Sequence, residues 1–325
     1  TVLLVLVILT SPLLRSRNLE FERPRWRVAV IGAAAVLTAA ILFSVFVSFY
    51  GRPSVPALPP PMAGAMHEPS LRKTGHDWPA YGGTYSARRY SPLAQITPEN
   101  VSRLERAWVA HTGDLPKSEA ARELYGAETT PLKIGDTLYL CSAKNILIAL
   151  DPSSGRERWR YDPNVPDEAI PYTAACRGVA YYSVPEAPPD MQCANRIIEG
   201  TLDGRLIAVD ARDGRPCAGF GERGQVDIKV GMGETYPGMV SITSPPTIVR
   251  GVIVTGHQVL DGQKRDAPSG VIQGYDAVTG TLRWAWDMTR PDITGLPPPG
   301  ETYTRGTPNM WTIASGDEEL GLVYL

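Results

Sequence analysis

The sequence is poor in the residues that build most metal and haem centres. Its four histidines and four cysteines are scattered, with no C-x-x-C for zinc and no C-x-x-C-H for an attached haem. A formal charge of −2 and a pI near 6.1 give no reason to expect nucleic acid as a partner. Charged residues make up 20% against 43% apolar ones, which excludes wholesale disorder. Beyond residue 50 no stretch has the periodicity of a long amphipathic helix. What abounds instead is 30 prolines, 31 glycines, 7 tryptophans and 14 tyrosines, a composition suited to short strands and many turns.

One long hydrophobic run is present. Val28 to Tyr50 is 23 residues without a charge, about 34 Å as a helix and enough to cross a bilayer core. Residues 1–14 are also uncharged but too few to span, and are read as the end of a preceding transmembrane helix. Five arginines (Arg15, Arg17, Arg23, Arg25 and Arg27) lie in the 15–27 loop, whereas Arg52 is the one basic residue between Tyr50 and Arg72. The positive-inside rule therefore places 15–27 in the cytoplasm and everything after 50 outside. In a bacterium this means an inner-membrane anchor and a periplasmic domain. Residues 51–74, rich in proline, read as a stiff periplasmic linker. The chain starts with Thr1 and stops at "GLVYL", which suggests a piece of a longer protein.

The remainder, 75–325, carries a repeat. "IALDPSSGRERW" holds Asp151, Gly155 and Trp159; "QGYDAVTGTLRW" holds Asp276, Gly280 and Trp284 at the same offsets. "IAVDARDGRPCAGF" holds Asp210 and Gly214, with Cys217 and Phe220 near the tryptophan slot. The aspartates are 59 and 66 residues apart, the right length for a four-stranded antiparallel unit with loops. Such self-similarity in an all-β chain predicts a β-propeller. In each unit Asp bonds the turn backbone, Gly supplies a positive φ, and Trp wedges between neighbouring blades. The four cysteines suit an oxidising compartment. Cys176 and Cys193 flank an expected hairpin and can pair; Cys141 and Cys217 lie in a strand and a repeat turn, and all four can equally be small buried hydrophobes.

The "A-[LV]-D-x-x-x-G-x-x-x-W" repeat resembles the tryptophan-docking blades of quinoprotein dehydrogenases, which carry pyrroloquinoline quinone (PQQ). Residues 77–108 look like that family's first propeller strand. "TPLKIGDTLYLCS", "CRGVAYY", "TSPPTIV", "PSGVIQGYDAVTG" and "TPNMWT" are similar to its membrane-bound glucose/quinate/shikimate branch. The resemblance implies an eight-bladed propeller, about half of it present here, behind a hydrophobic N-terminal region. It also implies a sugar or cyclic-polyol substrate, with electrons passing from PQQ to ubiquinone in the membrane.

The same resemblance implies roles for individual residues. Glu128 would hydrogen-bond the cofactor. Arg177 would pair with a carboxylate of PQQ, a tricarboxylate suited to the guanidinium fork. Thr243 would donate to the quinone system, and Trp311 would be the flat floor under the PQQ ring. Asp261 matches an acidic residue near a divalent cation, Ca²⁺ or Mg²⁺, which prefers oxygen ligands. Two departures bear on the substrate. Gly262 follows Asp261 where the glucose enzymes usually have Asn, and Thr173 stands where they carry a histidine near the sugar, which shifts weight from glucose toward quinate or shikimate. The catalytic aspartate and a PQQ-contacting lysine belong to later blades. The general base is therefore expected beyond Leu325, and none is assigned within 1–325. Two competing readings are a non-enzymatic periplasmic propeller scaffold and a PQQ alcohol dehydrogenase of another substrate class. The latter normally has adjacent cysteines before the "RG[LV]AY" motif, and this chain has Ala175-Cys176 there.

Overall fold

The computed structural model describes residues 25–50 and 75–325 apart from positions 261 and 263, with side chains in the N-terminal stretch described over 32–44. Two units are distinct, 1–58 and 59–325. The expected membrane tail 1–14, most of the 15–27 loop and the linker 51–74 lie outside the described residues.

In the first unit Arg25–Tyr50 is one helix of 26 residues, so the whole uncharged run is helical. Val36, Leu37, Leu42 and Phe43 are all exposed on it. Among residues with described side chains no helix is long and apolar enough to cross a membrane, because those of this helix cover only 32–44.

The second unit is built from three four-stranded antiparallel sheets. Blade I comprises Leu132–Ile134, Thr137–Cys141, Leu147–Leu150 and Glu157–Tyr161. Blade II comprises Ala180–Ser183, Asn195–Gly200, Arg205–Asp210 and Gln225–Asp227. Blade III comprises Thr247–Val249, Val252–Thr255, Ile272–Asp276 and Leu282–Trp286. Ser315–Asp317 and Leu322–Tyr324 pair as the start of a fourth. Each third strand is buried along nearly its whole length, so "LIAL" and the "LIAV" of "RLIAVD" are continuous apolar runs rather than alternating ones, while "IQGYD" is buried with Gln273 and Asp276 in it.

The repeat aspartates, glycines and Trp159 do what their chemistry suggests, whereas Trp284 lies over Gly274 of its own sheet, where an added Cβ would be 2.3 Å from the indole. Asp151 Oδ1 accepts from the amides of Ser153 and Ser154, and Asp276 Oδ1 from those of Val278 and Thr279. Gly155, Gly214 and Gly280 sit at φ of 69°, 73° and 72°, a left-handed conformation that closes each turn. The Trp159 indole rests on Gly214 of blade II, so close that a Cβ there would lie 2.6 Å from the ring. Its Nε1–H donates to Ala211 O at 3.0 Å. Trp108 repeats this contact one step earlier, on Gly155, donating to Pro152 O. Blade II lacks the tryptophan, and Val226 fills the slot against Gly280 instead.

Two apolar clusters lie between blades rather than within them. Tyr139, Leu147 and Trp159 meet Ile197, Ile207 and Ala211 between I and II, while Ile198, Leu206 and Phe220 meet Ile253 and Tyr275 between II and III. The buried Arg196 clamps the second junction, donating to Cys193 O, Ala277 O and Val278 O.

Two expectations are corrected. The disulfides are Cys141–Cys176 and Cys193–Cys217, not Cys176–Cys193. The hairpin does form, but Ala180 faces Ile198 and Ser183 faces Asn195, which puts Cys176 and Cys193 at its opposite ends. Residues 77–108 are not a strand: only Trp78 bridges Lys133, through backbone bonds of 2.8 and 3.1 Å. Pro79, the Gly82-Gly83 pair, Pro92 and Pro98 break the rest.

Candidate functional site

Glu128, Arg177, Thr243 and Trp311 are far apart in sequence, yet each lies just before the first strand of successive blades, which begin at Leu132, Ala180, Thr247 and Ser315. A propeller brings these four entry segments together, so the site follows from the repeat. Backbone bonds tie them: Thr130 N–H donates to Arg177 O at 2.9 Å, and Arg177 N–H to Thr243 O at 3.1 Å.

Arg177 is the hub. Its guanidinium pairs with Glu128 at 3.0 Å and lies 5.3 Å from the Trp311 ring centroid, within cation–π range. Thr243 is buried and its hydroxyl reaches toward Trp311 O at 3.5 Å. Ser244, which sequence reasoning missed, makes the stronger bond to the same carbonyl at 2.8 Å. The Cys141–Cys176 bridge ends on the residue before Arg177 and joins it to blade I.

Trp311 is 52% exposed, unlike the docking tryptophan Trp159 at 8%. A half-exposed indole held by its own backbone can accept another flat ring in place of the guanidinium beside it. Thr173 is exposed, next to the parallel pair that joins Ala174–Ala175 to Tyr125–Gly126. A Cβ on Gly126 would lie 3.3 Å from Glu128 Oε1, so that pair runs beside the Glu128 carboxylate. Asp261, expected near the cation, lies outside the described residues. The general base expected beyond Leu325 is not among the residues brought together here. Leu325 itself follows the strand Leu322–Tyr324 as an exposed aliphatic side chain, with no group to take a proton.

Two buried ionisable groups stand behind the cluster, and neither was singled out from sequence. Glu199 is wholly buried; its Oε1 accepts from Asn145 at 3.1 Å and lies 3.4 Å from Cys176 Sγ. Burial pushes its carboxyl well above the usual range. His257 is 1% exposed, and burial pushes its imidazole down to about 4. Among the described residues, Cys141, Cys176 and Glu199 are the one convergence of His, Cys, Asp and Glu ligand atoms, and there the two sulfurs are already joined to each other.

The donor set suits a flat polyanion. Arg177 offers a forked cation and Trp311 a conjugated face, while the Thr243 and Ser244 hydroxyls are turned to the Trp311 carbonyl and hold that face in place. That matches the chemistry of a tricyclic, tricarboxylate quinone.

Residues 78–325 match the family described as "PQQ: Glucose/ethanol/alcohol dehydrogenase, beta-propeller domain". A glycerol dehydrogenase large subunit of Gluconobacter oxydans (strain 621H) is 53% identical over 77% of this chain and 33% of its own length. The quinoprotein glucose dehydrogenase of Escherichia coli (strain K12) is 42% identical over 77% of this chain and 32% of its own. The quinate/shikimate dehydrogenase (quinone) of Acinetobacter baylyi is 34% identical over 98% of this chain and 40% of its own. The chain thus spans about a third to two fifths of these relatives' length.

Proposed function

Because the chain belongs to the PQQ-dependent glucose/ethanol/alcohol dehydrogenase β-propeller family, we propose that it is the anchor and cofactor-cradling part of a membrane-bound quinoprotein that oxidises a polyol. The observation that carries this is the convergence of Glu128, Arg177, Thr243 and Trp311 at four successive blade entries. A scaffold propeller has no need of a forked cation beside a half-exposed indole.

When bound, PQQ supplies the two-electron acceptor for oxidation of a CH–OH carbon. The chain's own residues hold and orient it. Arg177 touches the Trp311 ring directly, with no room for a third ring between them. A cofactor lying on that side of the indole would take the place of the guanidinium, whose fork would then be free to hold a carboxylate. Glu128 is the partner that keeps Arg177 in reach and offers an acceptor to the cofactor's edge. Thr243 and Ser244 fix the Trp311 backbone, so the floor does not tilt. Asp261 is proposed to help hold Ca²⁺ or Mg²⁺, as a hard carboxylate ligand. The general base is proposed to come from a part of the protein beyond Leu325.

The substrate is proposed to be a polyol rather than glucose. The identity to the glycerol dehydrogenase subunit exceeds that to the glucose enzyme, 53% against 42%, and Thr173 offers a small hydroxyl where the resemblance implies an imidazole. Electrons are proposed to pass to ubiquinone. An acceptor in the bilayer gives a reason for the uncharged helix 28–50 to anchor the protein in the bacterial inner membrane, with the propeller in the periplasm. The relative matched over 98% of the chain, helix included, is itself named as a quinone-dependent enzyme.

Full-length protein reconstituted with PQQ and Ca²⁺ or Mg²⁺ is expected to reduce a ubiquinone analogue with glycerol or a cyclic polyol, and less well with glucose. Bound PQQ without turnover of any polyol or aldose refutes the substrate class.

A further inference from the structure

The segment that carries Trp311 rests on blade III at two glycines. A Cβ at Gly256 would lie 2.2 Å from Met310 O, and one at Gly270 1.8 Å from Pro308 O, so backbone meets backbone at both points. These two supports belong to neighbouring chain segments, and one side chain fastens them together. His257, beside Gly256, places Nε2 2.7 Å from the carbonyl of Ser269, beside Gly270. A carbonyl only accepts, so Nε2 bears the hydrogen and Nδ1 is a bare acceptor. Gly270 N–H in turn donates to Thr307 Oγ1 at 2.8 Å, tying the same support to the start of the strap.

Nδ1 has no partner and is buried from solvent. The residue lines a cavity of about 10 Å³ together with Thr243, Thr255, Met310 and Trp311. That volume is about what one water needs, and the walls carry polar atoms. A buried acceptor left bare costs roughly 1–3 kcal/mol unless something donates to it.

We propose that His257 is a positioning residue for the Trp311 floor: Nε2–H locks the two glycine supports together, and Nδ1 holds one buried water behind the indole. The role is distinct from that of the four residues facing the cofactor, because His257 reaches the cofactor only through the strap at 307–311. It rests on reading Trp311 as the cofactor's floor. The neutral, low-affinity imidazole that burial enforces fits a holder of water rather than a proton carrier.

The test uses the full-length protein, as wild type, His257→Gln and His257→Phe, with crystal structures, thermal melts and PQQ titration followed by tryptophan fluorescence. Wild type is expected to show a water within hydrogen-bond distance of Nδ1. His257→Phe is expected to lose that water, displace the 308–311 strap and weaken PQQ binding about tenfold. His257→Gln, whose amide can still donate to Ser269 O, is expected to recover most of the affinity. A purely structural role would lower the melting temperature of both variants while leaving the PQQ affinity of the folded protein unchanged, and that result overturns the proposal. So does a dry cavity in wild type, which needs no variant to fold. Failure of wild type to bind PQQ at all would instead remove the cofactor reading, and strap displacement in His257→Phe would still decide the positioning role.

Discussion

The blade junction offers a stability test whose size follows from the structure. Gly214 sits at φ 73° with the Trp159 ring against it, and an added Cβ would lie 2.6 Å from that ring. Gly214→Ala therefore meets two penalties. A left-handed conformation costs an L-residue about 1–2 kcal/mol, and overpacking adds about 1–3 kcal/mol. Trp159→Ala alone should cost about 3–5 kcal/mol, as for other buried aromatics. Its hydrogen bond adds little, because Ala211 O also accepts from Tyr139 and is not orphaned when the indole goes. In the Trp159→Ala background the steric part of Gly214→Ala vanishes, leaving a coupling of about 1–3 kcal/mol in a double-mutant cycle. The control is Gly135, at φ 56° with nothing within 4 Å of an added Cβ. Gly135→Ala should cost the conformational part alone, equally in both backgrounds. Urea unfolding of the full-length protein measures every species in the cycle. Equal effects of Gly214→Ala with and without Trp159 would refute blade docking through this pair.

Other consequences concern the bridges and the buried ionisable groups. Removing Cys141–Cys176 or Cys193–Cys217, which close 35 and 24 residues, should each cost roughly 3–4 kcal/mol by loop entropy. Only the first should also weaken PQQ binding, since only it ends beside Arg177. His257 is held near pKa 4 folded against 6.5 unfolded, so the unfolded chain takes up the proton first as pH falls. Stability that is complete above about pH 6.5 should decline by about 3 kcal/mol toward pH 4, and His257→Gln should flatten that limb of the denaturation-versus-pH curve. Glu199 has the opposite sign: its folded carboxyl is raised, so its contribution is intact at acid pH and fades as pH rises above the unfolded value near 4.5. Glu199→Gln, neutral at every pH, should melt higher than the parent at pH 8 and not at pH 4. A parent that is already equal at both pH values contradicts a neutral Glu199.

Much of the architecture was legible because the turn chemistry repeats. Asp151, Asp210 and Asp276 with their glycines marked three blades, and the structure has three complete four-stranded sheets at those places. The four residues proposed to hold the cofactor could be named only through family resemblance, since nothing in a lone Glu128 or Thr243 distinguishes it from a loop charge or a strand threonine. For two of them, Glu128 and Thr243, the position before a blade's first strand is a signal the sequence did carry, in the Thr-Pro and Ser-Pro steps at 130–131 and 244–245. The disulfide partners were illegible because pairing depended on which end of the 180–198 hairpin each cysteine occupies, a matter of register. His257 escaped notice because a single histidine in a strand-end segment acquires meaning only from the carbonyl and the cavity that face it.

The central claim is that Arg177 and Trp311 cradle PQQ, and a crystal structure of the full-length protein with PQQ bound tests it most directly. The account predicts the cofactor ring lying on the Trp311 indole, with the Arg177 guanidinium swung from that ring onto a PQQ carboxylate. PQQ seated elsewhere, with Arg177 still stacked on Trp311 and paired only with Glu128, would contradict it.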